Sequence, residues 1–267
     1  MRDVSDLEDL RDLTDGDLLC EWTAQGFAQR SAGAARAWAT DDGAAVAVAC
    51  PGLATRDRIA VHGTVAAAAG LIGLVLDEVG DSFRPIGDPA LIRRLTAMVE
   101  LPDGSGLEIG SPFGWMDRRD PLDHTSSRAR WLGAEHVAEI DELLDRAHAH
   151  SDARPSDPAI ESWAGIRDDQ GRLVATAGLG WSAPTVGYLV GVAVDPGSRG
   201  QGLGEQVCRL VADAAITERG AVGLMIDEDN TGARRLYAKL GLHYRPVLAA
   251  RVRKLRNEPL RNGIGAA

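Results

Sequence analysis

Aromatic residues are scarce in this chain, at 4% of 267 positions, so its core has to be assembled mainly from Ala, Val, Leu and Ile. Cysteine is scarcer still. Cys20, Cys50 and Cys208 are widely spaced and odd in number, which gives neither a disulfide framework nor a zinc-like spacing and fits a reducing compartment. There is no basic excess. The formal net charge is −10, a field that repels a phosphate backbone or an anionic lipid surface, so no nucleic-acid and no membrane partner is expected. The one dense basic group, Arg251, Arg253, Lys254 and Arg256, reads as a solvated strand end. No apolar run approaches the roughly 18 residues of a membrane span, and the alanine-rich stretch from Thr64 to Leu76 reads as a buried helix. The first residues, MRDVSDLEDL, are acidic and lack an apolar signal core, so a cytoplasmic protein is expected.

What is present is ordinary for a globular protein, with 45% hydrophobic and 25% charged residues. A polar stretch, Asp117 to Arg130, carries Pro121 and has no apolar period, which predicts a linker at 118–130 between domains at 1–117 and 131–267. In the second half the spacing predicts a helix over Ala134–His148, strands at Glu161–Arg167, Leu173–Trp181 and Tyr188–Val194, and a helix from Gly202 to Thr217. A strand at Val222–Ile226, a short helix at Ala233–Leu240 and a last strand at Leu242–Val252 complete it. The first half has a parallel order: strands at Ala44–Cys50 and Arg58–His62, a helix from Thr64, a strand near Phe83–Ile86 and a helix at Pro89–Val99. Both halves place Arg-Arg-Leu in their last helix, at Arg93–Leu95 and Arg234–Leu236, which points to a diverged internal duplication. The fold class expected is α/β with a mixed sheet.

The chemistry is carried by VAVDPGSRGQGLG, which starts at Val192. Arg199, Gly200, Gly202 and Gly204 open a helix behind a strand. Glycines permit positive φ and close backbone approach, and a helix start offers unpaired N–H groups at the positive end of its dipole. Together they suit a pyrophosphate. No Lys-Ser/Thr pair follows, which excludes a P-loop. A dinucleotide site needs G-x-G-x-x-G. Here the spacing is one residue short, and too little chain follows to complete its sheet, although Asp227 to Asp229 stand where a ribose-binding carboxylate would.

From Tyr188 to Leu242, and by order of elements from Leu132 to Val252, the sequence resembles the GNAT superfamily of acyl-CoA-dependent N-acyltransferases. Arg199, Gly202 and Gly204 match the family's Arg/Gln-x-x-Gly-x-Gly/Ala loop. Asn230, Ala233 and Tyr237 match its Asn-x-x-Ala-x-x-x-Tyr helix, and Gly241-Leu242 stands where Gly-Phe is usual. The resemblance implies a GNAT fold in the C-terminal half with acetyl-CoA as cosubstrate and no metal. It implies that the loop Arg199, Gly200, Gln201, Gly202, Leu203, Gly204 and Glu205 holds the pyrophosphate. Val192, Ala193 and Val194 would run beside the pantetheine arm, where two neighbouring strands splay apart, and an N–H near Val194 would polarise the thioester carbonyl. Asn230 and Ala233 would complete the cofactor site, and Tyr237 would protonate the departing thiolate.

Attack needs an unprotonated amine, hence a general base. Glu161, Asp227 and Glu228 are the acidic candidates, with Glu161 and Glu228 preferred, although each also reads as a solvated strand-end charge. Cys208 reads as an inert buried thiol, so direct attack is expected rather than an acyl-enzyme. Trp163, Trp181 and Tyr188 read as core in preference to the lining of an acceptor pocket, and His136, His148, His150 and His243 read as surface. The first half has HGTVAAAAGL where the loop would be, and Pro89 and Thr96 where Asn230 and Tyr237 stand. It is similar to the degenerate half of tandem GNAT proteins, which would shape an acceptor cleft. The expected acceptor is a small-molecule amine, with the net charge favouring a cationic one. Acetylation of a protein amine, or a non-catalytic acyl-CoA sensor, is the alternative, and a homodimer is left open.

Overall fold

The computed structural model describes residues 1–27, 34–123 and 127–253. Lys254 and Arg256 of the basic group therefore lie outside the described residues. The first half runs β1 (Arg2–Val4), α1 (Leu7–Leu13), α2 (Leu18–Thr23), β2 (Arg36–Ala39), β3 (Ala45–Leu53), β4 (Arg56–Gly63), α3 (Val65–Val79), β5 (Arg84–Gly87), α4 (Pro89–Met98) and β6 (Gly106–Arg118). The second runs β7 (Arg130–Leu132), α5 (Val137–Ala147), β8 (Ile160–Arg167), β9 (Leu173–Gly180), β10 (Gly187–Val194), α6 (Leu203–Arg219), β11 (Val222–Asp227), α7 (Thr231–Lys239) and β12 (His243–Arg253). The fold is mixed α/β, and every element expected in the second half is present to within a few residues.

All twelve strands join one sheet in the order β1-β2-β3-β4-β5-β12-β6-β11-β10-β9-β8-β7. Five strands of each half run inward from opposite edges. At the centre the halves exchange their last strands: β12 lies beside β5, and β6 lies beside β11. Read from either edge the order is the same once each strand is replaced by the one six places away in the chain. The cut at 118–130 therefore separates the chain but not the sheet. Asp117 and Arg118, placed by the sequence in the linker, finish β6 opposite Gly223 and Val222. Their polarity suits a strand end where Arg118 donates to the carbonyls of Leu240, Gly241, Asp120 and Pro121.

Local chemistry sets the element ends. The β8–β9 hairpin turns at Asp168, whose carboxylate accepts the N–H groups of Gln170 and Arg172, with Gly171 at φ +80. Helix α4 is capped by Asp88, which accepts from Ala90 and Leu91, with Pro89 in its first turn. Gly220, at φ +90, ends α6. The helices α3 and α4 cover one apolar core and α6 and α7 another, while a third core joins the two halves on the opposite face.

Beside that joining core lie a buried acid and a half-buried one, both held by cations. Glu21 is fully buried and accepts from Arg11 at 2.8 Å, Arg119 at 2.7 Å and Thr185 at 2.8 Å, tying α2 to the segments after β6 and before β10. Asp17 caps α2 and pairs with Arg245 of β12 at 2.6 Å. Burial opposes ionisation of Asp17, but His62, Arg245 and the Cys20 N–H outweigh it and bring its pKa to about 2.

Two outcomes follow. Residues 1–123 and 124–267, expressed separately, should fail to give cooperative melts, because each leaves a central strand without its neighbour; a sharp melt for either piece alone would contradict the exchange. For Asp17 the folded-state pKa is depressed, so its stabilisation is present above the ordinary value of 3.8 and is lost as pH falls through about 2. Asp17→Asn should cost about 2 kcal/mol near pH 7 by denaturant titration, a deficit that shrinks steadily below about pH 4. A deficit independent of pH would show that the ionised carboxylate is not what stabilises.

Candidate active site

Strands β10 and β11 are parallel but pair only at Gly187↔Val222 and Tyr188↔Gly223. Beyond that they diverge. On its other side β10 carries a bulge: Val190 opposes Gly178 and Ala193 opposes Thr176, so two residues of β10 face one of β9. Gly191 takes φ +57 there, and a Cβ would overlap the benzo ring of Trp163. The bulge bends the strand and turns part of its backbone out of the ladder. Val192 and Val194, half-buried at the diverging end, pack toward the core under α6 and α7.

The Tyr188 side chain reaches across the divergence. Its hydroxyl accepts the Met225 N–H at 3.2 Å, supplying a partner for a β11 donor that β10 no longer pairs. Burial first, against the nearby charge of Arg58, raises this phenol to about 12. Its ring stacks on Trp22 at 4.4 Å between centroids, with Trp115 and Trp181 completing the cluster. Trp163, Trp181 and Tyr188 are all buried, as core packing requires. The indole N–H of Trp163 is buried without a hydrogen-bond partner among the described residues.

After Val194 the chain makes a 3-10 turn at Pro196–Ser198, capped by Asp195, which accepts the Gly197 N–H at 3.1 Å. Arg199 donates to the carbonyls of Val194 and Ala147, so its side chain holds the turn against the end of α5. Gly200 at φ +79 and Gly202 at φ +74 set the left-handed steps, and Gly202 is the N-cap of α6 with no side chain bonded to the first-turn N–H groups. Nothing lies within 4 Å of a Cβ built at either glycine, so both face open space. At Gly204 a Cβ would meet the side-chain methyls of Leu236 at 2.9 Å and Val194 at 3.3 Å, so the third glycine lets β10, α6 and α7 pack closely. The first-turn N–H groups, uncapped by a side chain and beside the positive end of the helix dipole, make a cradle that fits an anion such as a pyrophosphate.

Asn230 caps α7 by accepting the Ala233 N–H at 3.1 Å. The helix so started turns Tyr237 inward, where it is buried in the same core as Cys208. Burial, then the neighbouring Cys208 and Tyr188, hold the Tyr237 phenol well above its ordinary pKa, so it is protonated at neutral pH. Its hydroxyl has no hydrogen-bond partner among the described residues. Cys208 is fully buried and its thiol is likewise pushed up by burial, which leaves it unreactive.

The acidic candidates separate. Glu161 accepts from Arg219 at 2.5 Å and from the Ser182 N–H at 3.2 Å, at the end of α6 remote from the glycine loop. Asp227 and Glu228, with Asp229 and Pro112, line an open cleft of about 510 Å³ where β11 ends. Among the described residues no three His, Cys, Asp or Glu side chains gather in a metal-binding group, and no helix is long and apolar enough to cross a membrane. Sequence reasoning did not single out Gly191, the Tyr188–Met225 bond or Trp22 and Trp115. Only the glycine inside a strand carried a local signal.

Residues 126–242 match the model of the acetyltransferase (GNAT) family. No curated protein matches the chain. Among solved structures, a Drosophila protein is similar with a TM-score of 0.57 at 15% identity, over 94% of this chain and 98% of that one. A GCN5-related N-acetyltransferase from Sphaerobacter thermophilus gives 0.54 at 17% identity, over 82% and 80%. One from Kribbella flavida gives 0.51 at 18%, over 78% and 86%. At these identities the structures show a shared fold, and the family match names it: residues 126–242 form an acetyltransferase domain of the GNAT family.

Proposed function

We propose that this domain transfers the acetyl group of acetyl-CoA to the amine of a small molecule by direct attack. The observation that carries the reading is the divergence of β10 from β11 directly before a cradle of helix N–H groups. The pyrophosphate would lie on residues 199–205 and the pantetheine arm beside Val192, Ala193 and Val194. N–H groups turned out by the bulge would donate to the thioester carbonyl, where negative charge develops. Asn230 and Ala233 act here through the start of α7 rather than by reaching for the cosubstrate.

The amine nitrogen attacks the carbonyl carbon, the C–S bond breaks, and its electron pair leaves on sulfur. Tyr237, protonated and without another hydrogen-bond partner among the described residues, gives its proton to that sulfur. The amine loses its own proton to Glu228, directly or through water. Glu228 lines the open cleft at the end of β11, whereas Glu161 would first have to leave its ion pair with Arg219. Solvent then returns both groups to their starting states.

The first half is read as a degenerate copy, with the chain divided into 1–117, a connection at 118–130 and 131–267. In it the equivalent strands stay paired over four residues, Arg58–Val61 with Arg84–Gly87, and α3 starts at a Thr64 N-cap behind Gly63, whose positive φ serves a close approach to the Ala44 carbonyl rather than an open loop. Neither a slot nor a cradle is available there. The intact acid at Tyr237 favours an enzyme over a sensor.

Tyr237→Phe should leave acetyl-CoA affinity unchanged and lower kcat about 100-fold or more in an assay of amine-dependent thiol release. An unchanged kcat would remove Tyr237 as the acid.

A further inference from the structure

The slot between β10 and β11 is open toward the glycine loop and closed at its other end, where Gly187 and Tyr188 pair with Val222 and Gly223. Tyr188 extends that closure. Its side chain turns across the gap, and its hydroxyl accepts the Met225 N–H at 3.2 Å, two residues beyond the last paired position of β11. The phenol oxygen therefore stands between the two strands, in the line of the missing ladder.

The phenol is firmly backed. Tyr188 is 6% exposed, and its ring stacks on Trp22 at 4.4 Å and lies 6.1 Å from Trp115, between centroids. Both indoles are fully buried, and that of Trp22 is fixed by donating to the Trp181 carbonyl at 2.8 Å. Trp115 fills the space of a side chain at Gly223, opposite Tyr188, where a Cβ would stand 2.5 Å from its ring. The Tyr188 backbone N–H donates to the Ser182 hydroxyl at 3.2 Å, so the main chain is held as well. A close-packed aromatic wall of this kind does not make room for further methylenes without a cost in stability.

We infer that Tyr188 sets the length of the acyl group: its phenol is the end wall of the acyl pocket, which admits acetyl and excludes longer chains. This deepens the acyl-transfer reading and rests on it. With the pyrophosphate on residues 199–205, the pantetheine arm enters from the open end of the slot, and its thioester lies farthest in. Acyl carbons beyond the thioester then meet the closed end, where the phenol stands. Tyr188 is a specificity-determining residue and takes no part in the proton transfers.

The test compares calorimetric affinities of the full chain for CoA, acetyl-CoA, propionyl-CoA and butyryl-CoA. CoA carries no acyl group, so each thioester is read relative to CoA on the same protein, which cancels differences in folding and in the cradle. At roughly 10-fold for each surplus methylene, the wild type should bind butyryl-CoA about 100-fold more weakly than acetyl-CoA. Tyr188→Phe removes only the oxygen and should restore propionyl-CoA by about 10-fold while butyryl-CoA stays weak. Tyr188→Leu shortens the wall further and should restore butyryl-CoA. Thermal melts check that both variants fold; if Tyr188→Leu does not, propionyl-CoA on Tyr188→Phe decides. Equal affinity of the wild type for acetyl-CoA and butyryl-CoA, or unchanged ratios in Tyr188→Phe, would overturn the inference and leave the acyl-transfer reading standing. Failure of CoA and acetyl-CoA alike to bind the wild type would overturn that reading and this inference with it.

Discussion

Two parallel strands that stop pairing after two residues are the constraint on which the rest of this structure depends. A sheet loses backbone hydrogen bonds wherever strands part, and buried donors left that way are costly. Here the loss is compensated from several sides. The Tyr188 hydroxyl takes up the Met225 N–H, the Gly191 bulge bends β10 away, and the glycine loop converts the strand end into a helix start with no side-chain cap. Packing then fixes the opening, since Trp163 presses on the bulge and Leu236 on Gly204. An acyl-CoA fits such a site because its arm can pair with strand backbone and its pyrophosphate can rest on a helix terminus.

The symmetry of the sheet explains how the second half keeps an open slot without losing its core. Its own last strand is given to the other half, and β6 covers β11 instead. The aromatic cluster that floors the divergence is shared accordingly: Trp22 and Trp115 come from the first half, Trp181 and Tyr188 from the second. In the first half the equivalent strands stay paired over four residues.

The sequence was most legible where local chemistry and packing agree. From β8 to β12 each strand alternates or runs apolar between clear turn signals, and in the loop from Arg199 to Gly204 two glycines serve left-handed backbone steps and the third serves close packing. Strand β6 was illegible for the opposite reason. It carries Gly106, Gly110, Pro112 and Gly114, which read as loop, yet it is central. Gly114 is there because any Cβ would strike Tyr244 and Ile226 of the flanking strands, and Pro112 sits beside a register irregularity of β12. Only long-range pairing makes those residues a strand. The short elements before Ala39 were missed likewise, since α1 and α2 are too brief to show a period.

Calorimetric titration of the purified chain with acetyl-CoA, beside Gly202→Asp and Gly204→Asp, tests the central claim most directly. The account predicts saturable binding to the intact protein that both substitutions abolish, the first by placing a carboxylate on the cradle and the second by wedging β10, α6 and α7 apart. Absence of binding to the intact protein, or binding that survives at Gly202→Asp, would contradict it.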